Sequence, residues 1–180
     1  MADQIRVLIV DDIPETRDHL SKLLSFETDT VVVGAASSGR EAIEMAARLK
    51  PDVVLMDINM PDMDGIAATE RLSAEVPTAA VVMMSVQGEA DYLRRSMLAG
   101  AREFLVKPFS SDELTASIRQ VYTRERDKLS RISIAAPADP AGRRPARRRP
   151  QRRESAGAVG SASRAPASAP GGSMRSARPS

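Results

Sequence analysis

Residues 53–57 read Val-Val-Leu-Met-Asp, four apolar side chains in a row closed by a carboxylate. A half-solvated strand alternates apolar and polar residues, so an unbroken run fits a parallel strand covered by helices on both faces. The form recurs along the chain. Upstream, Ile5–Val10 (IRVLIV) stops at Asp11-Asp12, and Val31–Ala35 (VVVGA) follows. Downstream, Ala80–Met84 (AVVMM) stops at Ser85, and Glu103–Val106 (EFLV) stops at Lys107-Pro108. Between the runs lie segments of helical period: Pro14–Phe26, with Ile13, Leu20, Leu23 and Leu24 on one face, then Gly39–Lys50, Ile66–Glu75, Glu89–Leu98, and Asp112 to about Lys128. Five strands alternating with five helices predict an α/β fold: a doubly wound, five-stranded parallel sheet in a three-layer α/β/α sandwich.

Composition narrows the chemistry. The 180 residues contain no cysteine and one histidine, which excludes disulfides, zinc ribbons and thiol catalysis and leaves few His-based metal sites. No stretch approaches the ~18 apolar residues of a membrane span, and the N-terminus shows no basic, apolar and cleavage regions in series. A cytoplasmic protein with no membrane insertion is the expectation. The lone His19 falls one position off the Leu20 stripe and reads as a solvated helix residue. Whatever chemistry exists must use carboxylates, hydroxyls or lysine.

In an open parallel sheet, ligands gather at the carboxyl ends of strands, beside the point where strand order reverses. Those ends carry Asp11-Asp12, Asp57, Ser85 and Lys107. Three carboxylates brought together repel unless a cation neutralises them, and hard oxygen donors with open positions point to Mg²⁺. A carboxylate is a competent nucleophile for phosphorus, a hydroxyl can donate to an oxyanion, and Lys107 adds a movable positive charge. Phosphoryl transfer onto Asp57 uses all of these parts. Neither a GxxxxGK[ST] loop nor a GxGxxG loop follows the first strand, so no nucleotide site is expected.

Taken in order, Asp11-Asp12, the run Met56-Asp57-Ile58-Asn59-Met60-Pro61-Asp62-Met63-Asp64-Gly65, Ser85, and Phe104-Leu105-Val106-Lys107-Pro108-Phe109 resemble the receiver domains of two-component response regulators. The resemblance covers residues 4 to 126 and implies a flavodoxin/CheY-like (βα)5 fold. It implies that Asp57 is the phosphoacceptor, and that Asp12 and Asp57 hold Mg²⁺ with the backbone carbonyl of Asn59, Asp11 acting through a water. Lys107 would pair with the acceptor carboxylate and then the phosphoryl oxygens, across a cis bond to Pro108. Ser85 and Phe104 would form a switch, the hydroxyl bonding the phosphoryl group and the ring turning inward behind it. The donor would be a sensor histidine kinase or a phosphotransfer protein in a phosphorelay, and output would pass to a downstream protein through helix 4, strand 5 and helix 5. Beside Ser85 the family usually has Ala or Gly. The branched Val86 here should crowd the path of an attacking water.

An aspartyl phosphatase would need an acid/base Asp two residues after the nucleophile, and position 59 is Asn. A dedicated enzyme is therefore not expected. A receiver-like module that binds partners without accepting phosphate is the other contrast, although every residue needed for phosphorylation is present. Residues 1–134 hold 16 Lys+Arg against 22 Asp+Glu, whereas residues 135–180 hold ten Arg against Asp139 and Glu154. Rich in Ala, Arg, Pro, Ser and Gly, the segment 135–180 has too little apolar surface to offset its ordering entropy and is expected to be a disordered tail. The domain would then span 1–134. Three readings of the tail stay open: a flexible linker or terminus, an Arg-rich segment binding nucleic acid or another polyanion, or a frameshifted or truncated continuation of a larger regulator. In the last case the receiver is similar to those fused to ParA/MinD-like ATPases.

Overall fold

A computed structural model describes residues 3–135. Apart from Ala135, the expected disordered tail and its polyanion-binding reading lie outside the described residues. The elements run β1 (Ile5–Val10), α1 (Pro14–Ser25), β2 (Thr30–Ala36), α2 (Gly39–Leu49), β3 (Val53–Asp57), α3 (Gly65–Glu75), β4 (Ala80–Ser85), α4 (Ala90–Leu98), β5 (Glu103–Val106) and α5 (Ser111–Ala135). All strand pairs are parallel, in the order β2-β1-β3-β4-β5. The chain winds outward from β1 to β2 and then crosses back to β3, so the order reverses between β1 and β3. This is the doubly wound sheet that the apolar runs predict.

The runs conceal a period of two. Leu8, Val10, Val54, Met56, Val81 and Met83 pack with Ala42, Ile43, Ala46, Ala68 and Leu72 of α2 and α3. Val7, Ile9, Val53, Leu55, Val82 and Met84 pack with Leu20 and Leu24 of α1 and Leu114, Ile118 and Val121 of α5. Each strand thus feeds both cores alternately, as the pleat requires. The edge strands differ. β3 and β4 are buried at every position, whereas β2 is only partly covered along its middle and β5 is half-buried with Val106 exposed. Edge position, which the apolar letters do not encode, accounts for the difference.

Helix starts follow local chemistry. Ser38 and Asp64 accept from the Glu41 and Ala67 amides and cap α2 and α3. At α5, Ser110 Oγ accepts from Glu113 N while Glu113 accepts from Ser110 N, a reciprocal capping box that also holds the Glu113 carboxyl below its ordinary range. Arg119 ties α5 to the α1–β2 loop through Glu27 and Asp29. α5 continues past about Lys128 to Ala135, the last described residue. Its last turns carry Leu129 and Ile132 exposed, so the core-facing pattern that would mark them as helix stops before they begin. No helix among the described residues is long and apolar enough to cross a membrane.

α4 is anchored least. Ser96 is its one buried residue, and the Ser96 hydroxyl has no hydrogen-bond partner. A buried hydroxyl left unpaired costs more than the hydroxyl contributes, and alanine is also the better helix former. Ser96→Ala should therefore raise stability by about 1 kcal/mol. Urea denaturation of both proteins checks this, and a lower midpoint for the variant would show that the hydroxyl is satisfied.

Candidate functional site

The register of the sheet assembles the site. Val10 stands opposite Met56 and Ser85 opposite Val106, so Asp11, Asp57, Ser85 and Lys107 emerge at one edge of the sheet. Lys107 Nζ lies 2.8 Å from Asp57 Oδ1 and 3.2 Å from Asp11 Oδ2. Asp11 and Asp57 are 1% and 6% exposed, and both would be costly to bury as charges without that ammonium. The Lys107-Pro108 bond is cis.

Two buried carboxylates against one ammonium leave the pocket short of positive charge. Burial pushes the Asp57 carboxyl above its ordinary value of 3.8; Lys107 opposes this by hydrogen bond and charge, and the Asp11 carboxylate adds to the rise. Burial works to lower the pKa of Lys107, but Asp57 and Asp11 outweigh it and hold the ammonium above its usual range. A second cation would relieve both carboxylates. Asp12 is half-buried beside Asp11, and Asn59 is exposed, its carbonyl accepting no backbone hydrogen bond among the described residues. This all-oxygen donor set fits Mg²⁺. Among the described residues no three acidic or histidine side chains already stand as a metal cluster, and Lys107 bridges Asp11 and Asp57.

Pleat parity sorts the remaining positions. Asp11, Asp57 and Lys107 continue the parity of Ile9, Leu55 and Leu105, on the α1/α5 side. Ser85 and Phe104 share the parity of Met83, on the α2–α4 side. Ser85 is fully buried; its Oγ accepts from Gln87 N at 3.0 Å, its carbonyl accepts from Lys107 N at 2.7 Å, and no hydrogen bond joins it to Asp57. Phe104 is half-buried against the α2–α4 core. His19 is exposed, as expected.

Sequence reading missed two supports. Gly65 packs so close to the carbonyl of Asp57 that a Cβ there would collide with it, and Gly65 N donates to Ile58 O at 2.9 Å, closing the β3–α3 loop under the acceptor. The Met-Asp-Gly turn signals a helix start and says nothing of this approach. Arg17 Nη1 donates to the carbonyl oxygen of Asp11 at 2.7 Å. The signal available in the sequence was a cation near the start of a helix, where cations are disfavoured.

The response regulator receiver domain family matches residues 7–119 of the chain. Response regulator protein VraR of Staphylococcus saprophyticus is 40% identical over 121 residues, covering 67% of this chain and 58% of that protein. The chain thus aligns with about 58% of the length of that curated relative. The response regulator domain of Thermotoga maritima CheB superposes with a TM-score of 0.62 at 36% identity, covering 67% of this chain and 97% of that one. The chain matched in the CheX-CheY-BeF3-Mg²⁺ complex from Borrelia burgdorferi gives 0.63 at 29% identity, covering 67% and 90%.

Removing the ammonium exposes the constraint. Lys107→Met should cost about 1–3 kcal/mol at pH 7, because two buried carboxylates then face each other unpaired. The sign with pH follows from Asp57. Its folded-state pKa is already raised above 3.8 and rises further without Lys107, so the folded form binds protons more readily than the unfolded one. The deficit should shrink as pH falls from 7 towards that raised value. Urea titrations at pH 7 and pH 5 measure it, and a deficit that grows on acidification contradicts the account.

Proposed function

Because the chain belongs to the response regulator receiver domain family, we propose that it accepts a phosphoryl group on Asp57 from a phosphohistidine of a sensor kinase or phosphotransfer protein, and passes the signal on by partner binding. One observation carries the reading: the Asp57 carboxylate is buried at a strand end, salt-bridged to Lys107 at 2.8 Å, with the Asp11 carboxylate on the same ammonium. A carboxylate desolvated and oriented in this way is a nucleophile aimed out of the sheet.

Asp57 Oδ would attack phosphorus in line while the imidazole leaves. Lys107, held between the two carboxylates, would follow the growing charge on the phosphoryl oxygens. Bound by Asp12, Asp57 and the Asn59 carbonyl, with Asp11 acting through a water, Mg²⁺ would neutralise the clustered carboxylates and the equatorial phosphoryl oxygens. The pocket's deficit of positive charge is what favours this site for the cation.

Phosphorylation adds about two negative charges, and its effect is a shift between arrangements that already exist. Ser85 would exchange the Gln87 amide for the phosphoryl group, and Phe104 would turn into the space behind it. Both lie on the α2–α4 side of the sheet, next to the weakly held α4. The output surface would be the α4–β5–α5 face, where Leu93, Met97 and Val106 are exposed. A cytoplasmic location belongs to the same reading, and the domain turns over no substrate of its own beyond the phosphoryl group it accepts and loses.

Intact-mass spectrometry with acetyl phosphate and Mg²⁺ tests the reading. A single phosphoryl addition should appear, require Mg²⁺, and vanish in Asp57→Ala; addition that persists in the variant would assign the acceptor elsewhere. Val86 is 64% exposed at the strand end beside Ser85, where its branched side chain can stand in the path of water. A steric barrier of about 1 kcal/mol corresponds to about fivefold in rate, so Val86→Ala should speed loss of the phosphoryl group by about that factor. Decay that is unchanged or slower would count against the steric role.

A further inference from the structure

Arg17 breaks a rule of helix placement. It is the fourth residue of α1, where the helix macrodipole disfavours a cation, and the first turn otherwise carries the acidic Glu15. Among the described residues it forms no ion pair. Its guanidinium turns back instead, past the helix start, and Nη1 donates to the carbonyl oxygen of Asp11 at 2.7 Å.

The polar groups of Asp11 show what that bond supplies. Asp11 N donates to Ala36 O at 3.2 Å, Oδ1 accepts from Ile13 N at 2.9 Å, and Oδ2 accepts from Lys107 Nζ at 3.2 Å. Only the carbonyl remains, and it lies one residue beyond β1, where no neighbouring strand offers an amide. Arg17 satisfies it. That carbonyl shares a rigid peptide plane with the amide of Asp12, so fixing one end fixes the orientation in which the Asp12 residue starts.

We propose that Arg17 is a positioning residue of the acidic pocket: it locks the Asp11-Asp12 peptide so that the Asp12 carboxylate is presented, beside Asp11 and Asp57, to a divalent cation. The inference rests on the reading of that pocket as the Mg²⁺ and phosphoryl site. It has a sign that charge alone does not share. A guanidinium near the pocket repels Mg²⁺, so if Arg17 acted only as a charge, its removal would tighten cation binding. If it acts by holding the peptide, its removal weakens binding.

The test titrates Mg²⁺ into the unphosphorylated 180-residue chain and follows the ¹⁵N–¹H shifts of the Asp12, Ile13 and Asn59 amides. Arg17→Met keeps the aliphatic stem and loses the donor, whereas Arg17→Lys keeps both donor and charge. Outer partners of a metal site are typically worth tenfold or more in affinity, so Arg17→Met should bind Mg²⁺ about tenfold more weakly, and Arg17→Lys should recover most of the loss. Before any metal is added, the Asp12 and Ile13 amides should already have moved in Arg17→Met, while the β3 and β4 amides stay in place. Binding in Arg17→Met as tight as wild type or tighter overturns the proposal, as do unmoved Asp12 and Ile13 amides. A wild-type chain with no Mg²⁺-dependent shifts overturns the pocket reading and the role of Arg17 with it, and its flat wild-type curve separates that result from the others.

Discussion

The ammonium of Lys107, between the carboxylates of Asp11 and Asp57, is the contact on which the rest of the site depends. Burying one carboxylate without a partner is costly, and burying two side by side is prohibitive at neutral pH. A parallel sheet nevertheless brings the ends of β1 and β3 together, because the strand order reverses between them. The arrangement is tolerated because β5 ends one strand beyond β4 and its next residue is a lysine long enough to reach both. The pocket remains short of positive charge even so, with two buried carboxylates on one ammonium.

The pleat gives that chemistry a direction. Asp11, Asp57 and Lys107 continue the side of the sheet covered by α1 and α5, whereas Ser85 and Phe104 continue the side covered by α2 to α4. In the proposed function, a change in charge at Asp57 would be relayed across the sheet edge through Ser85, whose oxygen is bonded to Gln87 at the base of the β4–α4 loop. α4 lies at the receiving end with a single buried residue and an unpaired hydroxyl. In that proposed switch, weak anchoring would let a small gain at Ser85 shift the helix, since an element held by a large core would not respond to it.

Rigidity is concentrated where the acids sit. Gly65 presses against the Asp57 carbonyl, Arg17 takes the Asp11 carbonyl, and Ile13 N closes on Asp11 Oδ1. The first two contacts fix backbone and so set where each carboxylate begins, while the third holds the Asp11 carboxylate itself. On the opposite edge of the sheet, a cleft of about 540 Å³ contains Arg6 and Asp52. There Asp52 accepts from Arg6 N and the Arg6 guanidinium donates to Leu49 O, so those charges are committed to joining β1 to the α2–β3 turn.

By itself the sequence determined the five strands, the five helices and the acids and lysine at the strand ends. Apolar run length, helical period and strand-end position are local properties, and each is written in a few consecutive residues. The tertiary structure decided which of those residues meet. Lys107 lies 50 residues from Asp57 and 96 from Asp11, and no local pattern encodes a contact at that separation. It also decided that β2 and β5 are edges with partly open faces, although Val31–Val33 reads as apolar as β3, because exposure depends on the neighbour and not on the strand. The last turns of α5 are weakly marked for a related reason: Leu129 and Ile132 are exposed, so the buried positions of the helix stop at Val121. The roles of Arg17 and Gly65 at the site could not be assigned from sequence, because each acts on a backbone carbonyl. Every residue carries such a group, and the amino-acid letter says nothing about which one will be left without a partner.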